Sequence, residues 1–508
     1  MTARTYRARD ARPDMTKVLL LPVCALLILA GCTNLAPLYD RPAAPVPAAL
    51  HNAATTSDAN ATYAPLGWDA VVQSAPLREV IALALQNNRD LRMAVLAIER
   101  AQAQYGVSRA DRLPSVAGST QGSRARTAAD LTAAGRPQIT EQYSAQLGLT
   151  SYELDFFGRV RNLNEAALQE VLRTTDSQRS VQLSLVAEVT NAWLTLAADQ
   201  ARLQLTQETL RSREASYSLT ERTYRLGGAS GLVLAQNQTT VDSARSDVAA
   251  YTSQVARDRN ALQLLVGTTV PADLLPQVQA ISQLPAATQM QDAQRGARAT
   301  QPAAPVFMLR GSALELLAVP AQIPSSVLLS RPDVMAAERS LQATYANIGA
   351  ARAAFFPSIS LTASLGTASN ELSGLFGSGN ALWSFMPQIR LPIFDGGRNQ
   401  ANLEVAQANQ RMALAQYEKV IQVAFREASD ALAERATLTD RITAQTSLVA
   451  ATERVVALSQ ARFKAGADNY LTVLDAQRSL YAAQQTLLSL QLAEQTNRIT
   501  LYKVLGGG

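Results

Sequence analysis

Apolar and polar residues alternate along SISLTASLG, so that Ile359, Leu361, Ala363 and Leu365 share one side of an extended chain and Ser358, Ser360, Thr362 and Ser364 the other. This period of two predicts a strand between an apolar and a wet medium. A second run, WSFMPQIRLPIF, sets Trp383, Phe385, Ile389, Leu391 and Ile393 against Ser384, Gln388 and Arg390. Weaker alternation occupies Ser115 to Ser123 and QYSAQLGLTSYELDFF, where Tyr143, Ala145, Leu147 and Leu149 fall together. Four strands are expected, in a chain otherwise rich in the helix formers Ala, Gln and Leu.

Arg159 to Leu226 and Arg398 to Ala465 contain neither proline nor glycine. Each predicts one helix on the order of 100 Å long, well beyond a globular helix. Their apolar residues, such as Val181, Leu185, Val189, Leu196 and Leu203, are mixed with Ala, Gln, Thr and Ser. That mixture suits helices packed side by side on both flanks, as in a tube. Glycine turns, Leu226-Gly227-Gly228-Ala229-Ser230-Gly231 and Ala465-Gly466-Ala467-Asp468-Asn469, end both runs, and glycine capping alone accounts for them. Leu113-Pro114 and Phe356-Pro357 mark switches from helix to strand, because the residue before proline is pushed out of the helical region.

The chain is written twice. DLRMAVLAIERAQAQYGVSRADRLPSV lies over DVMAAERSLQATYANIGAARAAFFPSI, pairing Asp90 with Asp333, Gly106 with Gly349 and Arg109 with Arg352. Further on, Gly158 falls on Gly397, Gly227 on Gly466, Leu232 on Leu471, Gln238 on Gln477 and Gly267 on Gly506. A tandem duplication follows. The expected organisation is a signal peptide over 1–31, an anchored linker over 32–76, a first repeat over 77–267, a Pro/Ala/Gln-rich connector over 268–324 and a second repeat over 325–508.

Only 17% of residues are charged, below the roughly 25% usual in soluble domains. The N-terminus carries Arg4, Arg7, Arg9, Arg12 and Lys17, then the apolar run VLLLPVCALLILA, then Leu29-Ala30-Gly31-Cys32. This reads as a signal peptide ending in a sequence that resembles the lipobox of bacterial lipoproteins, with Cys32 as the acylated mature N-terminus. A start at Met15 leaves an equally complete signal. Removing five basic and two acidic residues takes three from the formal charge of +5, leaving about +2, so no nucleic-acid partner is inferred. Cys24 leaves with the signal, and one cysteine makes no intramolecular disulfide.

His51 is the only histidine, in an Ala/Thr/Asn-rich stretch expected to be linker, so neither histidine catalysis nor a cofactor or metal site is expected. Glu427, Asp430 and Glu434 lie at helical spacing and read as a solvated or ion-paired face. Phe156, Phe157, Phe355, Phe356, Trp383, Phe385 and Phe394 cluster at strand ends, where an interfacial aromatic girdle of a barrel is expected. An open sheet cannot sit in a bilayer, and about eight strands is the minimum for a closed barrel, so strands must be shared between subunits. Two chains give eight strands and three give twelve.

SRPDVMAAERSLQATYANIGAARAAFFPSISLTASLG, LPIFDGGRNQANLEVAQANQ, QYEKVIQVAFREASDALAER, NYLTVLDAQRSLYAAQQTLL and YELDFFGRVRN resemble the TolC/OprM family of outer-membrane efflux proteins, in its NodT-like lipoprotein branch. The similarity runs from about Leu77 to Gly506. It implies an α+β membrane protein, a homotrimer whose 12-stranded barrel in the outer membrane continues as a helical tunnel through the periplasm. It implies as partners outer-membrane lipid, a periplasmic adaptor protein and an inner-membrane resistance-nodulation-division transporter that opens the passive duct. The tips, with Gly227, Gly228, Ser230, Gly466, Asp468 and Asn469, are then adaptor contacts. The aperture falls within Glu453 to Arg462, with Leu458 as an apolar ring and Glu453 and Arg462 as charged rings. Competing readings are a duct for a type I protein exporter, a pore-free structural lipoprotein and a lipid-anchored enzyme. The alternating strands weigh against the second, and the missing catalytic apparatus against the third.

Overall fold

The computed structural model describes residues 34–51, 67–133, 135–277, 280–281, 306–307 and 322–507. The expected signal segment 1–31, Cys32 and much of the connector lie outside the described residues. Along the chain run β1 (Ala49–His51), α1 (Trp68–Val71), α2 (Ala75–Asn87), α3 (Arg89–Ala110), β2 (Val116–Thr127), β3 (Gln138–Leu154), α4 (Arg159–Arg225) and α5 (Gly231–Val266). There follow β4 (Ala280–Ile281), β5 (Val306–Phe307), β6 (Gln322–Pro324), α6 (Pro332–Ala353), β7 (Ser358–Ser369), β8 (Ala381–Arg390), α7 (Arg398–Lys464) and α8 (Tyr470–Val504). The two proline-free, glycine-free runs are indeed single helices, α4 and α7, of 67 residues each.

One compact unit takes in residues up to Ala43, Ile98–Thr174 and Ala337–Tyr417. Its centre is an antiparallel sheet in the order β2-β3-β7-β8, so the two halves of the chain each supply a hairpin and meet at β3 and β7. Strand lengths of 12, 17, 12 and 10 residues suffice to cross a bilayer, for which about 9 to 11 are needed. Between Leu149 and Tyr152 the pairing of β3 with β7 shifts register, and Ser151 takes a left-handed φ of 47°. Its N–H donates to the Thr362 hydroxyl at 3.2 Å, which holds the bulge.

Residues 34–43 lie along one side of α6. Tyr39 donates to Glu338 at 2.9 Å, and Arg41 grips the same carboxylate with two bonds of 2.8 Å. The Tyr39 ring meets Tyr345 edge-on at 5.4 Å, and Arg352 donates to the Leu35 carbonyl. Ala36 sits so close that a Cβ on Gly349 would fall 2.7 Å from its own.

The other unit takes in Ala44–Ala97, Thr175–Ala336 and Glu418–Gly508. Its core gathers apolar residues of α2, α4, α5, α7 and α8, among them Ile81, Leu196, Leu262, Leu432 and Ile499. Two short antiparallel pairs belong here, β1 with β6 and β4 with β5. Leu50 opposite Ile323 in the first is fully buried. His51, expected in linker, is the last residue of β1, opposite Gln322.

Candidate functional site

The register assigns each sheet residue to a face. Leu147 pairs with Leu365 and Leu365 with Trp383, while Ala363 pairs with Phe385, so the apolar runs of separate strands coincide. On the reverse face Gly148 opposes Ser364 and Ser364 opposes Ser384, whose hydroxyls touch at 2.7 Å. A Cβ at Gly366 would fall 2.3 Å from the Ala145 carbonyl oxygen, so only glycine lets β3 and β7 approach here. Within the sheet β2 and β8 each have one unpaired side, which leaves rows of backbone donors and acceptors open.

The aromatic residues separate into two groups. Phe157 stacks on Phe356 with centroids 4.7 Å apart, where β3 passes into α4 and α6 into β7. Phe156 is half-buried beside them, Phe355 is exposed, and Phe394 is 91% exposed in the turn before α7. Trp383 and Phe385 stand on the apolar face of β8, with Trp383 76% exposed. At these junctions Asp155 accepts from the Arg161 N–H, and Asp395 from those of Gly397 and Asn399, capping α4 and α7. Those backbone donors, Asn399 foremost, hold the Asp395 carboxyl below its usual range.

Both glycine turns are built alike. Gly227 has φ 79° and Gly466 φ 75°, the left-handed region that a helix end requires. Gly227 N–H bonds the Tyr224 carbonyl and Gly228 N–H that of Thr223; Gly466 and Ala467 do the same to Phe463 and Arg462. Then the Ser230 hydroxyl accepts from Val233 N–H and the Asn469 side chain from Thr472 N–H, starting α5 and α8. The six candidate tip residues thus form two equivalent helix-stop, helix-start devices.

The family resemblance implies separate roles for Arg462 and Asp468, aperture and tip. The structure joins them across the second turn, with Nε to Oδ2 at 2.6 Å and Nη2 to Oδ1 at 2.9 Å. This contact holds the Asp468 carboxyl low. Leu458 is 64% exposed. Glu453 is half-buried, its carboxyl raised by burial, and its Oε1 has no hydrogen-bond partner among the described residues. Of the acids expected on a solvated or ion-paired face, Glu427 pairs with buried Arg331 at 2.9 Å, and Glu434 accepts from Asn497.

Sequence reasoning missed a pair of latches. Asn88 donates to the Leu265 carbonyl at 2.8 Å and Arg331 to that of Val504 at 3.0 Å. Asn88 falls on Arg331, and Leu265 on Val504, under the shifts that relate the two copies. The repeat alignment was the signal that could have found them. It also missed the carboxyl pair Asp199 and Asp258 between α4 and α5, both buried, with Arg202 on Asp199 and Gln254 on Asp258.

The sequence pattern of the outer membrane efflux proteins matches residues 80–268 and 323–507. The toluene efflux pump outer membrane protein TtgC of Pseudomonas putida is 43% identical over 97% of this chain and 96% of its own. The cation efflux system protein CusC of Escherichia coli K12 is 41% identical over 97% and 100%. Solved CusC superposes with a TM-score of 0.81 at 40% identity, covering 94% of this chain and 100% of that one. The open outer membrane channel MtrE of Neisseria gonorrhoeae gives 0.77 at 36%, covering 94% and 98%. With both halves matched and near-complete coverage by relatives, this chain belongs to the outer membrane efflux protein family.

Proposed function

We propose that three copies of this chain form the passive outer-membrane exit duct of a tripartite efflux pump, opened on docking to a periplasmic adaptor and an inner-membrane resistance-nodulation-division transporter. The observation that carries the assembly is the sheet: four strands, one apolar and one polar face, and two unpaired edges. Joining β2 of one copy to β8 of the next removes every edge, and three copies give twelve strands around a polar lumen. The aromatic groups then stand at the rims of the apolar band, and the glycine turns point into the periplasm as adaptor contacts. Cys32 carries the acyl chains, and residues 34–43, held on α6, keep that anchor close to the sheet. Relatives are named for toluene, antibiotic and cation efflux, which supports small solutes as the cargo of this duct. The family is one of channels, and no enzymatic step is assigned.

Native mass measurement in mild detergent should find a trimer bearing an acylated N-terminal cysteine, and the same preparation should conduct in planar bilayers. A monomer or dimer as the main species rejects the twelve-stranded closure. An unmodified N-terminus elsewhere rejects the anchor.

A further inference from the structure

Charge on the apolar face of the sheet is confined to one end. Across β2, β3, β7 and β8 the charged residues on that face are Arg124, Arg126 and Glu141: Arg124 is opposite Glu141 and Arg126 opposite Ile139, in step with Val116 opposite Leu149. All three lie by the turn joining β2 to β3, at the opposite ends of these strands from α3 and α4. Arg124 is bonded to Glu141 at 2.9 Å, with its side chain 70% exposed. Arg126, and Arg136 in the turn, are exposed and their side chains have no partner among the described residues. Counting Asp130, this hairpin end carries three arginines against two acids, a net +1.

An arginine on a lipid-facing strand is costly at the middle of the bilayer and nearly free at its rim. At about 3.3 Å per residue and a tilt of about 40°, Arg124 and Arg126 stand about 20 and 25 Å from Val116 along the membrane normal. That is the height of the apolar band, so both guanidinium groups emerge where the outer leaflet presents its headgroups. In an outer membrane that leaflet is a glycolipid with phosphorylated sugars, and the planar guanidinium fork matches phosphate oxygens bidentately.

We propose that the outer end of the β2–β3 hairpin, through Arg124 and Arg126 with Arg136 beside them, binds the phosphorylated headgroup of the outer-leaflet glycolipid. Glu141 orients Arg124 along the face, and Arg126 supplies the free fork. The inference rests on the reading that the sheet spans the outer membrane with its helices on the periplasmic side. It adds a lipid contact that fixes the height of the sheet in the leaflet.

The test uses the purified full-length protein in mild detergent, titrated with bisphosphorylated lipid A, its dephosphorylated counterpart, or phosphatidylglycerol, with bound lipid read by native mass spectrometry. The bisphosphorylated lipid should be retained after the other two are stripped. Arg124→Gln with Arg126→Gln should weaken it roughly thirtyfold, the effect of two membrane-surface arginines. Arg211→Gln, on α4, should leave it unchanged. Equal retention of all three lipids, or no loss in the double variant, overturns the proposal. So does a double variant that keeps the lipid and loses subunit association, which assigns the arginines to a neighbouring copy. A preparation that conducts in bilayers yet ignores lipid A fails this inference alone and leaves the duct standing.

Discussion

Asp258 is 9% exposed, and burial first, then the Asp199 carboxylate beside it, raises its carboxyl to about 6 from 3.8. Gln254 and the charge of Arg257 oppose the shift, and Arg202 neutralises Asp199 instead. The folded state therefore holds a proton that the unfolded chain releases near pH 4. Stability from this group is complete below about pH 4, declines as pH rises through about 6, and is gone by neutrality. Asp258→Asn keeps the neutral form and should raise the melting temperature at pH 7.5, an effect worth about 3 kcal/mol that shrinks toward pH 4. Thermal melts of both proteins across that range check it; parallel profiles show that the pair does not share a proton. Arg331 shows the opposite case, a buried cation fully partnered by Asp333, Glu427 and the Val504 carbonyl. Its removal leaves Asp333, Glu427 and the Val504 carbonyl without this donor.

At the scale of elements, legibility followed from whether the cause was local. Two helices of 67 residues were plain because nothing in Arg159–Arg225 or Arg398–Lys464 interrupts a helix, and four strands because period two is a local pattern. The turns were legible for the same reason: glycine supplies the left-handed residue and Ser230 or Asn469 the cap. The bulge was hidden, since Ser151 carries no mark of a left-handed φ and only its bond to Thr362, far along the chain, selects it. Pairing of β1 with β6 was hidden too, because three residues give no readable period and Leu50 finds Ile323 beyond the whole first copy. The segment 34–43 read as tether, yet Glu338, 299 positions after Tyr39, turns it into a docked strap. Of the candidate site, positions on turns were readable and partnerships were not: no local pattern ties Arg462 to Asp468 across the turn between them.

The proposed duct must be closed at rest and must open on docking, and on that proposal the packing around the two glycine turns closes its periplasmic end. Arg462 and Asp468 tie the second turn to the helix before it, and Phe463 meets Tyr470 edge-on at 5.0 Å behind them. One turn earlier, Leu458 presents an apolar side chain with little cover in the single chain. Each such exposed contact is weak by itself. In three copies around one opening the effects act together on a single closed-to-open equilibrium. Leu458→Ala removes the apolar contact. Arg462→Glu removes the tie and sets a second carboxylate against Asp468 in every tip. Both should raise single-channel conductance in planar bilayers and admit large antibiotics to cells that lack the pump, with Arg462→Glu responding more strongly at low salt because its effect is electrostatic. Unchanged conductance in both variants, with the subunits still assembled, removes these side chains from the gate and moves the closing contact elsewhere along α7.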